Sequence, residues 1–213
     1  RFWIKWNLLW IDALDACGEH LRGPIHGLYR LALAGKNAEG YGWTCLLDNY
    51  FRLVMGESFA SIAWPSGIGE PDPRTQSYFA AVEHLARGIE VGWAASAPTD
   101  LQVFLGLVTA RVAASKGDFT SALSQLNTAL LSARAGGWTI LEMDVEIGLA
   151  EVHLMRQEVS SAQIAVRRLR ALVETTDSQR YQNATAWLEA AAQGELNLRV
   201  LWELSRLDSV SPV

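Results

Sequence analysis

The chain has 213 residues, half of them hydrophobic and 19% charged, which is enough apolar material for a sizeable core and excludes a disordered tail. Lys and Arg total 18 against 23 Asp and Glu, and the net charge of -5 gives no general attraction to nucleic acid or anionic lipid. No run reaches the roughly 18 apolar residues of a membrane span, and Cys17 and Cys45 are too few and too far apart for a disulfide scaffold or a CxxC site.

The chain opens on Arg1 with no initiator Met and no small-residue cleavage site, and is read as a piece of a longer protein. Trp3, Trp6, Trp10 and Leu14 make one helical stripe while Ile4, Leu8 and Ile11 make another, so this first helix needs cover on two sides. Two covers are open: the chain's own helices or a preceding domain, and a docking or dimer surface with Trp anchors. A membrane-surface helix is disfavoured because Lys5 supplies too little positive charge.

Helices are expected over 2–21 and 24–34, a Trp-rich pair within 1–40. Another follows over 41–58. Residues Trp64 to Arg74 read WPSGIGEPDPR, a proline- and glycine-rich loop that is either a binding insertion or slack. Asp72 and Pro73 then fit a cap and first-turn proline for a helix over 73–95, which closes a divergent pair within 41–98. Helices over 100–116, 119–135, 140–156, 161–174, 178–193 and 196–207 fill residues 99–207, and 208–213 is a tail. Thr99 with Gln102, Thr139 with Glu142, and Ser160 with Gln163 fit capping boxes, and Gly117, Gly136, Gly137 and Gly194 fit helix stops. Strand alternation and hairpin turns are nearly absent, so the fold class is all-α.

Self-similarity is the strongest signal. Thr109 to Leu130 aligns without a gap on Leu149 to Arg170, a period of forty. Ala110 and Ala150 are small residues in the first helix of each copy, Ala122 and Ala162 are their counterparts in the second, and Leu126 and Val166 are the bulky residues that fill the space between pairs. Gly117 with Asp118 makes a turn of which Gln157 with Glu158 is a degenerate version.

Gly117, Asp118, Phe119, Ala122, Leu126 and Ala129 resemble, in order, the pattern of tetratricopeptide repeats. The period is longer than that family's and its closing proline is missing. Ala133 to Gln163 is similar in style to the long repeats found C-terminal to the nucleotide-binding core in bacterial STAND-type ATPases and regulators. The resemblance implies a superhelical stack of about five antiparallel helix pairs whose first helices line a concave binding face. By position, Phe104, Leu107, Arg111 and Ser115, then Asp144, Ile147, Glu151 and Met155, point into it. It also implies a cytoplasmic protein- or peptide-binding sensor or scaffold, part of a larger regulator of the kind that includes bacterial defence proteins. Weaker copies lie at Ala81, Leu85 and Gly88 and around Gly194.

Catalytic patterns are missing. The sequence holds no GxxxxGK[ST], no GxSxG and no HExxH, and Gly67-Ile68-Gly69 lacks the third glycine of a dinucleotide loop. His20, His26, His84 and His153 are dispersed, and His153 is expected to pack in the core. Arg167, Arg168 and Arg170, with Arg180 nearby, read as a solvated face or an acidic-peptide contact. The expectation is a binding protein with no cofactor, metal or enzymatic activity. The rival readings are an assembly module that self-associates through its Trp-rich helix and a small-molecule-sensing domain of a transcription regulator.

Overall fold

The computed structural model describes residues 2, 4–5, 7–9, 19–55, 57, 64–71, 73, 75–76, 99–176 and 178–194. Among these there is no strand, and the fold is all-α. The chain divides into two compact units, Arg1–Val91 and Gly92–Val213.

In the first unit, residues 2, 4–5 and 7–9 are helical, a 3-10 turn spans Glu19–Leu21, and two helices follow, α1 (Arg22–Ala34) and α2 (Ala38–Met55). Leu9, Leu21, Ile25, Leu28, Leu47 and Phe51 form its core, with Phe2, Tyr29 and Trp43 packed against it. α1 and α2 pack together across the short turn at 35–37. Residues 64–71 have no regular structure, as expected of the WPSGIGEP run. The Trp64 ring lies edge-on to Tyr41 at 5.3 Å, and its indole donates to the Gly69 carbonyl at 2.8 Å. The ring contact ties the segment to α2, and the hydrogen bond closes the segment on itself.

The second unit contains α3 (Thr99–Ser115), α4 (Phe119–Gly136), α5 (Thr139–Met155), α6 (Val159–Val173) and α7 (Gln179–Ala192). The starts of α3, α5 and α7 fall at 99, 139 and 179, and those of α4 and α6 at 119 and 159, so the forty-residue period is a structural repeat. Consecutive helices pack on each other, and α5 also packs on α3 and on α7. The small residues behave as expected: Ala110, Ala122, Ala150 and Ala162 are buried, as are Leu126 and Val166. An added Cβ on Gly148 of α5 would sit 3.0 Å from the Leu126 side chain of α4. Leu126 therefore fills the space between pairs, worth about 1.5–3 kcal/mol of burial.

One turn recurs at four helix ends. In each, a residue with positive φ follows the helix: Lys36 (48°), Gly117 (81°), Gly137 (67°) and Gln157 (62°). The amide of the next residue donates five positions back, as in Asn37 to Ala32 at 2.8 Å, Asp118 to Ala113 at 3.0 Å, Trp138 to Ala133 at 3.0 Å and Glu158 to His153 at 2.8 Å. This satisfies carbonyls that the helix end leaves open. Asn37 and Asp118 then cap the following helix, accepting from the Gly40 amide at 2.9 Å and the Ser121 amide at 3.0 Å.

The capping boxes expected at Thr139 and Ser160 do not form. Trp138 and Glu158 occupy the N-cap positions of α5 and α6 without side-chain cap bonds, so Ser160 lies inside its helix and Glu142 is used elsewhere. The Thr99 side chain and Asp72 lie outside the described residues, as do the expected helix over 196–207 and all of 73–95 except Pro73, Thr75 and Gln76, which are helical.

Candidate functional site

The residues expected on the binding face lie on α3 and α5, and α5 packs on both α3 and α7. The structure corrects two of its residues: Phe104 and Leu107 are buried, only 5% and 7% exposed. Every residue from 103 to 110 is buried, because α3 carries apolar residues all around rather than on one stripe. Neither side chain presents a free surface.

The charged candidates join neighbouring helices. Burial pushes the Glu151 carboxyl of α5 above the ordinary carboxylate range, and the charge of Arg111 on α3 pulls it back. These two positions are forty apart, so equivalent sites on successive first helices carry opposite charges. Two turns earlier on α5, Asp144 accepts from the Arg180 guanidinium at 2.8 Å and from the Tyr181 hydroxyl at 3.1 Å. The guanidinium also lies over the Tyr181 ring, 4.7 Å from its centre, and both members of the ion pair are largely buried. Such a pair is costly to break from one side, because the remaining charge stays desolvated.

Of the remaining candidates, Ser115 is exposed, and Ile147 and Met155 are half-buried. The Ser115 hydroxyl donates to the Val112 carbonyl of its own helix at 2.8 Å. Trp187 of α7 is half-buried too. It was not singled out from the sequence, although it stands forty residues after Ile147 and the period alone would have found it. Trp3, Trp6 and Trp10, the candidate docking residues, lie outside the described residues.

A second charged cluster was missed in the sequence. Glu146 of α5 is fully buried. Its Oε1 accepts from the Arg134 guanidinium of α4 at 2.9 Å, and the same Arg134 donates to Glu142 at 2.7 Å. Arg168 of α6 approaches Oε1 at 3.9 Å, while Oε2 has no hydrogen-bond partner. Burial pushes this carboxyl upward against the lowering pull of Arg168 and Arg134. The signal for it was an acidic residue within an apolar helix, four positions after Glu142.

The arginine cluster is largely used within the fold. Arg168 turns toward Glu146, Arg170 pairs with Glu189, and Arg180 pairs with Asp144; Arg167 is exposed. His153 is not a packed core histidine, because its Nδ1 meets Glu158 at 2.8 Å in the α5–α6 turn and its side chain keeps partial exposure. His20 and His26 are exposed, and His84 and Cys17 lie outside the described residues.

Among the described residues, no group of three or more His, Cys, Asp or Glu side chains is placed to hold a metal ion, and no helix is long and apolar enough to cross a membrane. Cys45 is buried in the first unit, where burial pushes its thiol up to about 12, so at neutral pH it is not a thiolate nucleophile. Against known proteins, no family model, no curated protein and no solved structure matches this chain.

Proposed function

We propose that the second unit is a tetratricopeptide-like array that binds a protein or peptide segment across α3, α5 and α7, acting as a sensor or scaffold within a larger regulator. One observation carries the reading: three helices that begin forty residues apart pack side by side, and Asp144 of the middle one is paired with Arg180 of the next. Paired charges brace the layer instead of offering it as a catalytic surface. Contact with a partner then falls to the half-exposed apolar and polar groups at Ile147, Met155, Ser115 and Trp187.

A photo-crosslinking residue introduced singly at Ile147, Met155 or Trp187 tests this in the full-length protein in its own cells. The expected result is one shared adduct from these positions and none from Gln163, an exposed position on α6. Equal labelling from Gln163, or no adduct from the layer, overturns the reading.

A further inference from the structure

The first unit carries a groove with an unusual lining. Lys5, Leu8 and Leu9 from the N-terminal helical segment form one wall, and Pro24, Gly27, Leu28, Arg30 and Leu31 of α1 form the other, around a volume of about 540 Å³. Leu9 and Leu28 are its buried floor, continuous with the core of the unit. Leu8 and Leu31 are 57% and 41% exposed at the rim.

The α1 wall has helical logic. Positions 24, 27, 28 and 31 recur at steps of three and four and so lie on one face. At Gly27 the face is bare, for a Cβ built there meets nothing within 4 Å. Glycine inside a helix costs about 0.5–1 kcal/mol relative to alanine, and here no neighbouring group requires it. What the glycine provides is depth between Leu8 and Leu31, enough for another backbone to come close.

Charge selects the occupant. Among the described residues lining the groove, both charged ones, Lys5 and Arg30, are cations, one on each wall, in a chain whose net charge is -5. A second copy docked face to face would bring these cations together, which disfavours self-association. An amphipathic helix with Leu-type residues at i, i+3, i+4 and i+7 and carboxylates along its flanks meets both features: apolar side chains fill the floor, and Glu or Asp pairs with each wall. We infer that this groove receives an acidic amphipathic helix from a partner protein.

The inference concerns a different unit from the array of the proposed function and stands or falls separately. The probe is a fluorescein-labelled synthetic helix of about 15 residues, with a Leu face and Glu flanks, titrated into the full chain by anisotropy. The same helix with Lys flanks is the control. Acidic-helix binding is expected to be stronger than basic-helix binding on the order of tenfold. Lys5→Glu with Arg30→Glu is expected to reverse that order. Gly27→Leu is expected to abolish binding by filling the groove while leaving the helical circular dichroism and thermal midpoint intact or improved, because leucine is the better helix former.

Equal binding of the two peptides, or acidic-helix binding that survives Gly27→Leu, overturns the proposal. So does absence of binding. A dimer in sedimentation that is dispersed by Gly27→Leu would identify a second copy as the occupant, and partition onto phosphatidylglycerol vesicles that needs Lys5 and Arg30 would identify a lipid surface; either result also overturns it.

Discussion

Gln157→Gly should stabilise the second unit, and its size follows from one torsion angle. Gln157 sits at φ 62° in the turn between α5 and α6, where its counterpart forty residues earlier, Gly117, sits at 81°. The left-handed region costs a residue with a Cβ about 1–2 kcal/mol. Glycine recovers that cost but loses about 0.5–1 kcal/mol through the greater freedom of its unfolded chain. The Gln157 side chain is exposed, so no packing is lost. The net expectation is a gain of about 0.5–1 kcal/mol. In a chain of this length that raises the thermal midpoint by roughly 1–4 °C and moves the urea midpoint upward with unchanged slope. The reciprocal change, Gly117→Gln, should lower stability by a similar amount. A Gln157→Gly protein that melts at or below the parent would show that the turn is not held by the left-handed residue, and the shared-turn reasoning would fail with it.

Asp144→Ala should destabilise the unit by about 3 kcal/mol, because it removes the carboxylate that the largely buried Arg180 guanidinium and the Tyr181 hydroxyl both donate to; hydrogen exchange should quicken through 179–192, and unchanged protection there would refute the clamp. The raised carboxyl of Glu146 sets a pH dependence of definite sign. A carboxyl raised in the fold contributes stability that is fully present below its unfolded value of about 4.3 and is lost as pH rises through the folded value. Urea midpoints measured from acid to neutral pH should therefore fall less steeply with rising pH in Glu146→Gln than in the parent, and parallel curves would sink the assignment.

Helix positions were legible because their determinants are local. The small residues at Ala110, Ala122, Ala150 and Ala162, and the turn glycines, act over a few positions, and the period multiplies the signal. The caps were less legible, since Ser160 with Gln163 satisfies the pattern of a capping box while the turn before it has already set the helix start at Val159. The Asp144–Arg180 pair spans 36 residues, and the Glu146 cluster draws on three helices. No spacing rule links such residues, because their meeting depends on how successive pairs stack. Phe104 and Leu107 were misplaced for a related reason: repeat position gives a face, but whether a face is covered depends on what lies against it.

The period is kept although its parts are unequal. α4 has 18 residues and is followed by only Gly137 and Trp138, whereas α6 has 15 and is followed by 174–178. Helix and connector exchange length, and the next first helix still begins on schedule. The longer connector, where Glu174 and Thr175 are exposed, is thus the natural seat for a grafted tag or an inserted domain, whereas an insertion beside Gly117 or Gln157 would strike a turn with nothing to spare.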